Sequence, residues 1–206
     1  MSAALDMDAP AAGARATLSW AGIVRLGVVQ MCLGAIVVLM TSTLNRLMVV
    51  ELALPAVLPG FLVALHYGIQ LTRPQWGYLS DTMGRRTRWI IGGMGILALG
   101  GLAAAWGVLL MEGSFALGLA VSILAYAAIG IGVGASGTSL LALLATATAP
   151  QRRAAAATIT WLMMIFGIAM TAGISGQFLD PYTPLRLMEV VGIVTALAFA
   201  ITCLAV

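Results

Sequence analysis

The chain has 206 residues, 62% of them hydrophobic and 8% charged. A water-soluble domain carries about 25% charged residues, so a soluble fold is excluded. All ten basic residues are arginine, set in short clusters between apolar runs, so the formal charge of +3 reads as membrane topology rather than as a nucleic-acid surface.

Residues 1–22 form a tail in which Asp6, Asp8 and Arg15 are mixed; without a basic start or a small-residue cleavage site, no cleavable signal is expected. The membrane domain is placed at 23–206. A helix needs roughly 20 apolar residues to cross a hydrocarbon core, and charges divide the chain into uncharged runs at 26–45, 52–72, 89–111, 113–151, 154–179 and 190–206. Within lipid only helices satisfy every backbone group inside such single segments. The expected fold is therefore all-α, a polytopic membrane protein of six transmembrane helices. Pro55 and Pro59 fall at the start of the second helix, where a missing donor costs little, and Pro150 and Pro181 mark loops. The long fourth run holds Gly130, Gly132, Gly134 and Gly137 but no charged break, so it reads as one helix followed by a loop at 146–151. The last run reaches Val206 without a charged stop, from which a fragment or a half-protein needing a partner is expected.

With six helices, Arg15, Arg25, Arg73, Arg85, Arg86, Arg88, Arg152 and Arg153 share one side and Arg46 and Arg186 the other. The positive-inside bias puts the first set, and the N-terminus, in the cytoplasm. Glu51, Glu112, Asp180 and Glu189 then fall at the opposite ends. Gly130 and Gly134 form a G-x-x-x-G pair, and Gly92, Gly93, Gly100, Gly101, Gly173 and Gly176 offer further surfaces for close helix approach, as in tight packing or the sliding faces of a transporter. Cys32 and Cys203 lie in apolar runs and read as small hydrophobes.

The segment from Gly77 to Arg88, with Asp81, Gly84, Arg85 and Arg86, is bracketed by apolar spans and resembles the signature loop of the major facilitator superfamily. Asp81 can pair with arginine or meet a neighbouring helix N-terminus, and Gly84 permits the tight turn, which makes a conformational latch. Further runs carry a narrower resemblance: Arg25-Leu26-Gly27, Thr43-Leu44-Asn45-Arg46, Val49-Val50-Glu51-Leu52, the stretch from Arg85 to Gly93, and the stretch from Arg152 to Thr158. These are similar to the PucC and LhaA type proteins of phototrophic bacteria, the bacteriochlorophyll delivery family. That resemblance implies the N-terminal half of a facilitator-like fold in a bacterial inner, intracytoplasmic photosynthetic membrane. It also implies assembly of light-harvesting antenna complexes, with bacteriochlorophyll as transient ligand or cargo, and antenna polypeptides and the reaction centre complex as partners.

His66 is the single histidine and lies mid-run, where polar groups are costly and often functional. With this resemblance, a neutral imidazole nitrogen becomes a candidate ligand for the magnesium of a bacteriochlorophyll; a packed, hydrogen-bonded histidine is the alternative. Arg46 and Glu51 are five residues apart, and a chain reversal there would make them a structural ion pair. Gln30, Asn45 and Gln70 stay ambiguous between packing and ligand contact, and Trp20, Trp76, Trp89, Trp106 and Trp161 read chiefly as interface anchors. No acid occupies the centre of an apolar run and no arginine the fourth helix, which disfavours ion-coupled export. No nucleophile, base and orienting group assemble from these residues, and no Walker-type loop occurs, so no catalysis is expected. Three functions remain open: an antenna assembly factor or pigment chaperone, half of a transporter of a hydrophobic or tetrapyrrole substrate, and a structural subunit of a photosynthetic complex.

Overall fold

The computed structural model describes residues 17–206; Asp6, Asp8, Arg15 and the rest of the tail up to residue 16 lie outside the described residues. Helix α1 (Trp20–Val50) starts where the Ser19 hydroxyl accepts a hydrogen bond from the Gly22 amide at 3.2 Å, which satisfies one of the free donors of the first turn. It passes through a π-helical turn at Leu39–Thr43. Helix α2 (Val57–Ile69) continues through a 3-10 turn at Gln70–Thr72 directly into α3 (Arg73–Thr82). Helices α4 (Arg86–Gly113) and α5 (Phe115–Ala147) follow, then a 3-10 turn at Pro150–Arg152 leading into α6 (Arg153–Phe178), and finally α7 (Pro184–Ala205). The described residues contain no strand, and the chain is an all-α polytopic membrane protein.

Five of these segments are long and apolar enough to cross a membrane: α1, α4, α5, Pro150–Phe178 and α7. The second run behaves differently. It does not stop at residue 72: α2 and α3 form one rod across residues 57–82, with Arg73 and Pro74 inside it. A proline early in a helical segment forfeits a donor that is unbonded there in any case, so Pro74 does not force a loop. The long fourth run is a single helix, as its lack of a break implies. Helix α1 begins before residue 26 and outlasts residue 45, the terminal turns of α4 and α7 hold Arg88, Glu112 and Arg186, and Glu189 lies in the second turn of α7. Charges mark where the apolar solvent ends rather than where the helix ends, because long stems carry the charged heads outward.

Helices α4 and α5 form a tight antiparallel hairpin joined through Ser114. Gly93, Gly100 and Gly107 recur every seven residues along α4 and face Gly132, Ala125 and Gly118 of α5, which keep the same spacing. A seven-residue repeat holds a seam in register as two helices wind left-handedly. The approach is backbone to backbone: a Cβ at Gly93 would lie 2.5 Å from the Ser136 nitrogen, and one at Gly132 would lie 2.6 Å from the Leu97 nitrogen. The G-x-x-x-G pair serves the other side of α5, where Gly130 meets the His66 carbonyl of α2 and Gly134 meets the Trp76 ring of α3. Helix α1 packs on α6 and α7, and α7 also packs on α4.

Not every glycine expected at an interface is found there. Gly92, Gly173 and Gly176 have nothing within 4 Å of a would-be Cβ, because they lie on outward sides of their helices. Helix α6 is the most open span: 11% of its most apolar stretch is buried, against 67% for α1. Trp161, Leu162, Ile165, Phe166, Met170 and Phe178 are all exposed on it, which suits a face wetted by lipid or covered by another apolar element.

Candidate functional site

The loop after α3 is held by one arginine. Asp81 Oδ1 accepts from the guanidinium of Arg86, Nη2 at 2.6 Å and Nε at 3.1 Å. Arg86 Nη1 donates to the Ala142 carbonyl at 3.0 Å and also to the Thr146 hydroxyl. One planar fork thus joins the end of α3, the start of α4 and the last turns of α5, a use for which guanidinium geometry is suited. Gly84 and Arg85 both take left-handed backbone, with φ of 64° and 57°. Glycine adopts that conformation freely, whereas an arginine there is strained. Gly77 faces α5, with Thr138 Cγ2 3.5 Å from a would-be Cβ. Among the described residues Arg85 is in no ion pair, and the pair found is Asp81–Arg86.

Arg46 and Glu51 are not brought together as an ion pair among the described residues. The chain does not reverse between them, because α1 runs on to Val50 and the turn comes afterwards. Five residues along a helix are about 140° apart around the axis. Glu51 instead lies with Glu112 near Tyr182, whose phenol is held above its ordinary pKa by burial first and by these two carboxylates next. Repulsion by fixed negative charge disfavours the phenolate.

His66 is 1% exposed and sits against α5. Its Nε2 lies 2.7 Å from Gln70 Nε2, and Gln70 Oε1 accepts from Arg73. Because Arg73 takes the amide oxygen, the amide nitrogen faces the ring, so Nε2 of His66 accepts and the proton sits on Nδ1. That Nδ1 is buried without a partner. In this packing the ring does not fit an axial ligand for a macrocycle: the residue is 1% exposed and its lone pair is used by Gln70.

The other polar residues have separate settings. Gln30 Nε2 contacts Met164 Sδ at 3.3 Å, while Gln30 Oε1 and Asn45 Oδ1 are buried without partners. Trp20 lies under the Arg152 guanidinium at 5.2 Å, Trp76 and Trp89 are 6.0 Å apart, and Trp106 and Trp161 are exposed. Tyr126, not singled out from the sequence, is fully buried and donates to the Met40 carbonyl at 2.8 Å, at the π-helical turn of α1. A phenol in the middle of an apolar run was the available signal, since a buried hydroxyl needs a partner. No group of three or more metal-ligating side chains occurs among the described residues.

The fold and the arginine-joined loop define a multi-pass helical membrane protein. Residues 43–206 match the family described as PUCC protein, and the chain belongs to that family. It is 66% identical over 190 residues to the Bacteriochlorophyll synthase 44.5 kDa chain of Rhodobacter capsulatus, an alignment that covers 92% of this chain and 44% of that protein. It is 33% identical over 182 residues to Protein PucC of the same organism, covering 82% of this chain and 39% of that one. Protein PucC of Cereibacter sphaeroides is 32% identical over 197 residues, covering 89% and 42%. The chain spans less than half the length of these curated relatives. No solved structure matches it.

Proposed function

We propose that this chain is part of a membrane assembly factor for light-harvesting antenna complexes. It works without catalysis, presenting lipid-facing surfaces to bacteriochlorophyll as cargo and to single-span antenna polypeptides, with its N-terminus in the cytoplasm. Membership of the PUCC family supports the antenna setting, and the open face of α6 is the observation that carries the mode of action. That face continues into an apolar groove of about 250 Å³ between α1, α6 and α7, bordered by Met31, Ala35, Phe166, Met170 and Leu197. Such a groove takes part of a flat macrocycle or one side of a passing helix by shape and apolar contact. One relative carries the word synthase in its name; what supports the reading without catalysis is that His66, the single histidine, is buried and engaged by Gln70, so that among the described residues it is not free to act as a base. The pigment part of the reading rests on the apolar surface and not on ligation by His66.

The test is purification in mild detergent from a phototrophic host, followed by absorption spectroscopy, pigment extraction and identification of retained polypeptides. Near-stoichiometric bacteriochlorophyll that persists in His66→Ala and falls in Phe166→Ala supports handling at the groove. Antenna polypeptides retained without pigment reduce the function to a protein chaperone, and retention of neither pigment nor antenna polypeptide above the level of an unrelated membrane protein sinks the proposal. A transporter half is the second reading, supported by relatives more than twice as long; transport of a tetrapyrrole into vesicles by the longer protein would favour it.

A further inference from the structure

A second groove, of about 360 Å³, opens at the arginine-rich end between α3, α4 and α5. One of its walls carries the half-buried rings of Trp76 and Trp89, packed on each other with centroids 6.0 Å apart. Its floor is apolar, made by Gly92, Gly93 and Ile96, and Arg85 and Arg88 stand at its mouth. Three features there are unmatched by the protein itself. Arg85 and Arg88 are exposed and in no ion pair among the described residues, while the nearby Asp81 is occupied by Arg86. The start of α4, where Arg85 and Arg88 line the groove, has no side-chain cap, so the positive end of the helix dipole is unmatched by a side chain there. Gly92 leaves open space where a side chain would stand.

From this arrangement we propose that the groove holds a single anionic phospholipid from the adjacent leaflet. The phosphate lies between Arg85 and Arg88 at the start of α4, and one acyl chain runs over Gly92 and Ile96 alongside the packed indole pair. An apolar slot with cationic groups confined to one end complements an amphiphile whose negative charge is at its head. A free anion would use the mouth but not the slot, and a neutral lipid would use the slot but not the mouth. The strained backbone of Arg85 aims its side chain at a place where the protein supplies no acid.

Tryptophan quenching in reconstituted vesicles tests this directly. The chain is placed in phosphatidylcholine vesicles containing increasing fractions of either brominated phosphatidylglycerol or brominated phosphatidylcholine, and the Trp89 signal is isolated by difference from Trp89→Phe. Half-quenching is expected at a mole fraction about thirtyfold lower for the anionic lipid, in line with attraction by two arginines near the surface. Arg85→Gln with Arg88→Gln brings the two lipids to equality. A Cβ at position 92 meets nothing within 4 Å, so Gly92→Leu places its side chain in the slot and, with the fold checked by helical circular dichroism, is expected to weaken quenching by both. Equal quenching by the two lipids in the unaltered chain overturns the proposal. So does selectivity that survives Gly92→Leu, or relief of quenching by millimolar inorganic phosphate, which would mark an anion site alone. Quenching by neither lipid would show that protein covers the groove, and would also overturn it.

Discussion

Gly92 and Gly93 are consecutive on α4 yet face opposite surroundings, and replacing each by alanine is expected to move stability in opposite directions. At Gly93 the new methyl carbon would lie 2.5 Å from the Ser136 nitrogen and 2.9 Å from both the Gly132 carbonyl oxygen and Ser136 Cβ. Two of these atoms are backbone, so no rotamer change relieves them, and α4 and α5 must separate by about 0.9 Å to restore ordinary contact. Overpacking of that kind costs about 1–3 kcal/mol. At Gly92 the methyl meets nothing within 4 Å, leaving the helix-propensity gain of about 0.8–1 kcal/mol. Propensity is common to both variants, so their difference reports the surroundings of the added methyl, in which the steric term at Gly93 dominates. Unfolding in mixed micelles with rising mole fraction of dodecyl sulfate, followed by far-ultraviolet circular dichroism, should place Gly93→Ala below Gly92→Ala by about 1–3 kcal/mol. Coincident transitions would refute the backbone contact between α4 and α5 on which the packing argument depends.

The loop arginine and its acid should be unequal. The Asp81–Arg86 pair is partly exposed, so Asp81→Asn is expected to cost at most about 1 kcal/mol. Arg86→Gln also abandons the Ala142 carbonyl and the Thr146 hydroxyl and should cost more, read from the same unfolding curves and from faster proteolysis around residues 83–85. For Tyr182, burial and the carboxylates of Glu112 and Glu51 raise the folded-state pKa. The proton is therefore held more tightly in the folded than in the unfolded chain, so this contribution to stability is present below the ordinary tyrosine value of about 10 and is lost as pH rises through the folded value. Carbon-13 tyrosine resonances, assigned by Tyr182→Phe, should titrate above about 10 and move back toward it in Glu112→Gln.

The class of the protein was legible in the sequence because it depends on quantities that survive without coordinates. Apolar runs of spanning length, few charges and arginines grouped between runs leave helices in lipid as the available solution. The loop motif could be read in the same way, since Asp81, Gly84 and Arg86 are close along the chain and local geometry brings them together. Pairings across the bundle could not be read. Arg46 and Glu51 are near in sequence, but the helix carries on between them and sends Glu51 toward Glu112 and Tyr182. Gly92 and Gly93 are identical in composition, and only the rotation of α4 against α5 makes one a contact and the other an open slot. His66 looks available in a linear reading, whereas tertiary packing buries it against α5 and gives its lone pair to Gln70. The physical reason is common to all three: a one-dimensional pattern specifies how much of a helix is apolar, but in lipid nearly every face is apolar, so the face that meets protein is chosen by close packing of specific neighbours and not by hydropathy.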